Sequence, residues 1–292
     1  MKTPAFAILL AIILTCALVS CGGGGGGGGG TAPATTTDSS TSTTTSTSTT
    51  TSSTTTTTTT TPTYFGTKSP TDPKAINDIV FNDGSATPYT SGLTLTDAQK
   101  SAAVAYIFYK GTACSDDGLT RTLGVGLKRS PSYMQWCLNT ANGYSTNITT
   151  IKCVTSGSAG AYTFTGVKDG SDNLAQIAAF LAGSNDTGTT GNYPAFEYAK
   201  NYGSTNGCTG AYATGWYLPS IAELYQIYNL RTNIDAAVVL CGLTNTFSSN
   251  WFWSSSQDAT GSSSAYGLCF SDGNCVADLK RRNVYVCAIR AF

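Results

Sequence analysis

The sequence contains no histidine and only two glutamates, Glu197 and Glu223. Without histidine it can build neither a Ser-His-Asp or Cys-His catalytic site nor a histidine-ligated zinc site. A glycosidase that works through two glutamates is disfavoured because the supply of glutamate is so small. Charge is also sparse, and the 16 Lys and Arg residues balance the 16 Asp and Glu residues. This balance disfavours electrostatic binding to nucleic acid, so we expect no nucleic-acid partner.

Apolar side chains are nearly absent from residues 22–63. The tract begins with nine consecutive glycines, and residues 31–63 contain 21 threonines and seven serines. Such a composition cannot bury enough apolar surface to offset the entropy of ordering the chain. We therefore expect residues 21–63 to be a disordered linker, with a root-mean-square reach of about 35 Å as a flexible coil. Slippage in a repetitive gene is an alternative origin for the tract. Residues 64–292 remain, enough for one large domain or two small ones.

The N-terminal segment combines Lys2 with an apolar stretch at residues 5–19, which is shorter than a membrane span of about 20 residues. It ends in Leu-Val-Ser-Cys at 18–21, which resembles the lipobox of bacterial lipoproteins. The resemblance implies a signal peptide at 1–20, cleavage before Cys21 and acylation of Cys21 on both its sulfur and its new amino group. We expect a lipoprotein held by this anchor, in the outer membrane and exposed at the surface. The alternatives are an uncleaved anchor helix, or an ordinary signal peptide followed by a chance cysteine.

Eight cysteines remain once Cys16 is removed with the signal peptide and Cys21 carries lipid. An even number in an exported domain, without a CxxC pair, favours a disulfide framework over a metal site. Buried thiols are the alternative, and the sequence leaves the pairing open. The disulfide candidates are Cys114, Cys137, Cys153, Cys208, Cys241, Cys269, Cys275 and Cys287.

The pattern of apolar residues predicts an α+β domain with short helices and a terminal antiparallel sheet. Ser220 and Glu223 form a capping box ahead of an apolar stripe, which predicts the start of a helix. Other helices are predicted near 97–100, 133–142, 173–183, 194–202 and 233–240. Strands are predicted at 79–81, 87–89, 103–109, 121–128, 215–218, 251–256, 265–270, 275–279 and 284–289, with hairpin turns at Asp83-Gly84 and Asp272-Gly273.

Motifs in the last part of the chain resemble a known family. They are Gly-Trp-Tyr-Leu-Pro-Ser-Ile-Ala-Glu-Leu at 215–224, Phe-Trp-Ser-Ser-Ser at 252–256, Phe-Ser-Asp-Gly at 270–273 and Val-Cys-Ala-Ile-Arg-Ala-Phe at 286–292. In this order they resemble the Lcl C-terminal domain family of bacterial surface proteins. The resemblance implies a C-type-lectin-like fold of the formylglycine-generating-enzyme type over residues 64–292, with a strand-rich part at 64–155 and the family motifs at 194–292. The lipobox and the Thr-rich tract are also similar to the Treponema variable proteins, whose terminal strands and loops display a diversified ligand-binding surface.

We expect the ligand-binding surface on these terminal strands and turns. Trp251 and Trp253 lie two apart on a predicted strand and should both face the core, which would turn Phe252 outward. Aromatic and arginine side chains make good contact anchors. A solvated sheet edge, where charges merely prevent aggregation, is the alternative for each position. The candidates are Asn250, Phe252, Gln257, Asp258, Tyr266, Asn274, Asp278, Arg281 and Arg282.

Three other functions are alternatives to non-catalytic binding. The resemblance to formylglycine-generating enzymes suggests a redox pair at Cys269 and Cys275, but no neighbouring cation would lower a thiol pKa. The acidic clusters at 116–117 and 169–173 offer oxygen ligands for calcium, yet such sequences usually form turns. A structural coat protein without a specific ligand is the third. We expect a protein that is not an enzyme, has no cofactor or metal, and binds an extracellular protein or glycan.

Overall fold

The fold is seen in a computed structural model that describes residues 63–182 and 190–292. These residues belong to one unit, Thr60–Phe292. The expected signal peptide, the acylated Cys21 and nearly all of the linker lie outside the described residues. Within them, no helix is both long and apolar enough to span a membrane.

The larger sheet has five antiparallel strands in the order β10-β4-β3-β1-β2. The hairpin at Asp83-Gly84 joins β1 to β2, as the sequence predicts, and Gly84 takes the positive φ of 85° that the turn needs. The last strand, β10, returns from the C-terminal end of the sequence to pair with β4. The strands are β1 Asp78–Phe81, β2 Ala86–Pro88, β3 Ala103–Gly111, β4 Arg121–Gly126 and β10 Ile289–Ala291.

Two smaller antiparallel sheets complete the β-structure of the described residues. One is the hairpin of β5 Cys153–Ser156 and β6 Thr163–Gly166. The other has the order β7-β8-β9, with β7 Trp251–Gln257, β8 Ser264–Cys269 and β9 Cys275–Leu279. The turn between β8 and β9 contains Gly273, which has a φ of 77° and leaves no room for a Cβ because Tyr228 packs against it.

Short helices lie between the strands. The capping box at Ser220 and Glu223 is present, and it starts α5. A second capping box, at Thr96 and Gln99, starts α1. The helices are α1 Asp97–Ala102, α2 Asn173–Phe180, α3 Pro194–Lys200, α4 Tyr202–Thr205, α5 Ile221–Asn229 and α6 Arg231–Leu240.

Three predicted elements are absent or reduced to isolated bridges. Residues 133–142 form no helix, because the backbone N–H groups of Met134 and Trp136 donate to the carbonyls of Val284 and Lys280 instead of to their own preceding turn. The predicted strand at 215–218 is reduced to a single bridge between Tyr217 and Ile289. The predicted strand at 284–289 is replaced by isolated bridges, and the regular strand begins only at its last residue.

The hydrophobic core has two parts, one on each side of the larger sheet. Phe81, Tyr106 and Phe108 pack with α5, α6 and one face of the three-stranded sheet. Ile107 faces the other part, with Trp136 and Trp253. Because both of their faces are covered, the central strands β1, β3 and β4 have few solvent-facing positions.

Candidate functional site

Four of the nine predicted ligand-binding residues lie in the interior. Phe252 and Gln257 are fully buried, and Asp258 and Tyr266 are each 8% exposed. The prediction that Phe252 points outward is wrong, and Gln257, Asp258 and Tyr266 are also too buried to form an open surface. Both faces of β7 are covered, so alternation along the strand places Trp253 in one half of the core and Phe252 in the other half.

The buried candidates have structural roles. The Phe252 ring lies 5.3 Å from the Phe247 ring and 4.7 Å from the Phe270 ring. The Gln257 side-chain oxygen accepts hydrogen bonds from the Ile148 N–H and from the Lys280 ammonium, each at 3.1 Å. Asp258 accepts from the Gly261 N–H at 3.0 Å and so closes the β7–β8 loop.

The other five predicted residues are exposed or half-buried. Asn274 is exposed in the β8–β9 turn, at the opposite end of β9 from Arg281 and Arg282. Asp278, Arg281 and Arg282 line one recess, and Asn250 lines a second recess that shares Arg282 and Asn283 with the first. Asn250, Asp278, Arg281 and Arg282 are therefore the predicted residues that the fold brings together.

The more enclosed of these recesses, which we call the terminal recess, has a volume of about 310 Å³. Its walls come from three separate parts of the sequence: the segment at Tyr133, whose neighbour Met134 bridges to Val284, residues 249–251 at the start of β7, and the link after β9. The lining residues are Tyr133, Ser249, Asn250, Trp251, Arg282, Asn283 and Val284.

Two arginine–aromatic contacts organise the terminal recess. The Arg282 guanidinium lies 4.7 Å above the Trp251 ring, and its Nη1 donates to Asp278 Oδ2 at 2.5 Å. The Tyr133 ring lies 4.2 Å from the Tyr285 ring, which in turn carries the Arg129 guanidinium at 3.7 Å. A hydrogen bond with Tyr285 raises the pKa of Tyr133 above its ordinary value. Tyr133 is 59% exposed and the Arg282 side chain 54%, so both can contact a ligand.

Sequence reasoning missed Tyr133, Trp251 and Asn283 as members of this surface. Tyr133 is far from the terminal motifs in sequence, and it joins them only because Met134 bridges to Val284. Trp251 is half-buried at the first residue of β7, where its ring reaches the surface. Asn283 lies in the same exposed link as the predicted Arg281 and Arg282. The exposure of that link was the one sequence signal that could have pointed to Asn283.

A separate buried polar cluster lies where β4 meets the start of α5. Glu223 is fully buried, and its carboxylate accepts hydrogen bonds from Arg121 Nη1 and the Tyr217 hydroxyl, both at 2.8 Å. It also accepts from the backbone N–H groups of Ser220 and Gly170. Burial raises the pKa of Glu223 to about 7, and Arg121 opposes that rise. Arg121 is shared with Asp169, at 2.8 Å, so it only partly neutralises Glu223.

The acidic clusters considered for calcium are occupied by hydrogen bonds of their own loops. Asp116 accepts from the backbone N–H groups of Lys168 and Asp169, and Asp117 accepts from Ser115 and Leu119. Asp172 accepts from Gln176. No group of three or more His, Cys, Asp or Glu side chains suited to a metal occurs among residues 63–182 and 190–292.

The predicted disulfide framework is not present in this structure. In the two described ranges all eight candidate cysteines are thiols, six buried and two, Cys269 and Cys275, half-buried. Burial raises the pKa of Cys275 to about 12, with Cys153 adding to the rise. Cys269 Sγ lies 3.0 Å from the Ser271 hydroxyl. A thiol with so high a pKa is poorly suited to thiolate chemistry.

Comparisons with known proteins give a likeness of fold. No protein-family profile matches the chain, and no curated protein matches it. The structure is similar to the crystal structure of a fimbrial protein from Bacteroides ovatus, with a TM-score of 0.51 and 14% sequence identity. The match covers 75% of this chain and 49% of that protein, so this chain spans about half its length.

Proposed function

We propose that this protein is a bacterial surface lipoprotein that binds an extracellular protein or glycan through the terminal recess. The domain belongs, in this proposal, to the C-type-lectin-like group that the Lcl C-terminal motifs resemble. The lipobox at Cys21 anchors it and the Thr-rich linker extends it from the membrane. Binding requires no catalytic step.

The observation that carries the proposal is the convergence of exposed and half-buried anchor residues on one recess. Tyr133, Trp251 and Arg282 offer large or forked side chains, and Asn250 and Asn283 add amide groups. Interfaces are enriched in these residue types because such side chains gain contact area at low entropic cost. The covered strands beneath them supply a rigid support, since Asn250 and Phe270 are joined by a backbone hydrogen bond of 2.8 Å.

A second candidate is a structural subunit of a surface assembly. The likeness to a protein described as fimbrial favours it. In that case the exposed residues of the recess would serve solubility or contacts between copies, and they would select no ligand.

Variants of the recess test the proposal. The full-length protein, displayed on cells, would be assayed on immobilised glycans and extracellular-matrix proteins. Tyr133→Ala and Arg282→Ala should each weaken binding at least about tenfold, since interface anchors contribute roughly 2 kcal/mol. Arg231→Ala is the matched control, because Arg231 also lies over an aromatic ring, at 3.9 Å from Tyr228, but outside the recess. Unchanged binding in both recess variants would favour the structural subunit.

A further inference from the structure

A second cavity lies on another side of the domain, between α2, α3 and residues 215–218. Its volume is about 410 Å³, which is within the range of small-molecule sites, roughly 300–1,000 Å³. We call it the α2–α3 groove. Its lining residues are Gly170, Ser171, Leu174, Ala175, Ala178, Phe196, Lys200, Gly215, Trp216, Tyr217 and Leu218. Tyr133, Asn250 and the other residues of the terminal recess take no part in it.

The walls of the α2–α3 groove are mostly apolar and aromatic. On α2, the small side chains of Ala175 and Ala178 leave the space open, whereas Phe196 on α3 and Trp216 opposite present rings. Both residues are only 3% exposed, so each presents a small part of its ring to the groove. An aromatic ligand body would find aromatic partners here.

The groove is rigid because its aromatic wall is fixed from behind. Trp216 Nε1 donates to the Tyr212 carbonyl at 2.7 Å, and the Tyr202 ring lies 4.5 Å from the Trp216 ring. Tyr217 exchanges two backbone hydrogen bonds with Ile289, at 2.9 and 3.0 Å. The buried Glu223 carboxylate accepts hydrogen bonds from both the Tyr217 hydroxyl and the Gly170 N–H. A site with a wall held in this way does not need to be ordered by its ligand.

Among the described lining residues, Lys200 and Ser171 carry exposed polar side chains, and the Tyr217 hydroxyl donates to Glu223. Lys200 is exposed at the rim and has no ion pair or hydrogen bond with the described residues, and Ser171 is exposed on the facing side. No carboxylate belongs to the described residues that line the groove. Its charge therefore complements a single negative group on an otherwise apolar molecule.

We propose that the α2–α3 groove binds a small aromatic anion, with the ring against Phe196 and Trp216 and the anionic group facing Lys200. This site is independent of the terminal recess and of any extracellular ligand bound there. Carboxylates and sulfonates are equivalent for this recognition, since each offers oxygen acceptors to an ammonium group.

Two fluorescent probes test the proposal on the folded full-length protein. One is 1-anilinonaphthalene-8-sulfonate, an aromatic anion, and the other is its neutral counterpart N-phenyl-1-naphthylamine. We expect the anion to bind saturably and more tightly than the neutral probe. Lys200→Glu should weaken binding of the anion about three- to tenfold and leave the neutral probe unchanged. Lys110→Glu, at an exposed lysine on β3, is the matched charge control and should change neither.

Filling the groove gives a second, independent readout. Ala178→Trp should abolish binding of the anion, whereas Ala179→Trp, on the exposed face of the same helix, should not. Ala175→Trp, at the exposed rim, replaces Ala178→Trp if circular dichroism shows that the latter is unfolded. Binding that persists in the filled variants would overturn the site. Binding that the filled variants abolish but Lys200→Glu leaves unchanged would overturn the anionic selectivity.

Discussion

At the scale of single residues, Glu223 should make stability depend on pH. Its pKa is raised by burial from 4.5 to about 7, so the folded protein holds this proton more tightly than the unfolded chain. The resulting stabilisation is complete below about pH 4.5 and is lost as the pH rises through about 7. We expect the free energy of unfolding to fall by up to about 3 kcal/mol between about pH 5 and pH 7.5, as measured by urea denaturation.

Glu223→Gln should remove this dependence, because the amide does not titrate. Glu197→Gln is the control, since Glu197 is half-buried and accepts one hydrogen bond from the Gly191 N–H. A wild-type curve that stays flat over this range, or one that Glu223→Gln leaves unaltered, would mean that Arg121 keeps Glu223 ionised throughout.

The exposure of charged residues in links was easier to predict from the sequence than the face to which a strand residue points. The exposure of Arg281 and Arg282 followed from their place in a charged link between strands. The burial of Phe252 did not follow, because alternation along a strand separates its two faces without telling which of them is covered. That information lies in α5 and in the core around Trp136, which are distant in sequence.

At the scale of secondary-structure elements, the two capping boxes should differ in strength. Ser220 is fully buried, and its hydroxyl accepts from the Glu223 N–H at 3.2 Å and donates to the Lys168 carbonyl at 2.6 Å. Thr96 is exposed and lies in a box with Gln99 alone. We expect Ser220→Ala to cost about 2 kcal/mol of unfolding free energy and Thr96→Ala about 0.5–1 kcal/mol, by chemical denaturation at constant pH. Equal losses would contradict a structural role for the bond to Lys168.

Elements that depend on local turn and cap residues were predicted from the sequence. Elements that depend on contacts with distant segments were not. The hairpins with Asp83-Gly84 and Asp272-Gly273 and the helix after Ser220 depend on turn and cap residues that the sequence displays. The segment around Trp136 has helical spacing, but its backbone bonds to Lys280 and Val284 fix another conformation. The same long-range contacts carry Tyr133 into the terminal recess, of whose lining residues only Asn250 and Arg282 were predicted.

At the scale of the whole molecule, the sequence predicted the α+β class but not the arrangement of its sheets. The pairing of β10 with β4 joins the C-terminal end of the sequence to its middle third. Such pairing depends on packing across the entire domain, and no local pattern encodes it. Removing residues 289–292 would therefore expose an edge of the larger sheet and part of its core, although the terminal recess is built from other residues.

The anchoring of the whole molecule can be tested independently of its fold. Cys21→Ala should move the protein from the membrane fraction to the soluble fraction, because several acyl chains at about 0.8 kcal/mol per buried methylene would be lost. Cys16→Ala should leave the protein in the membrane, since Cys16 lies in the predicted signal peptide. Mass spectrometry of the mature N-terminus should find acyl groups in the wild type and in Cys16→Ala. Mass spectra that find no acyl groups in the wild type would instead favour an uncleaved anchor helix at residues 5–19 or an ordinary signal peptide followed by a chance cysteine.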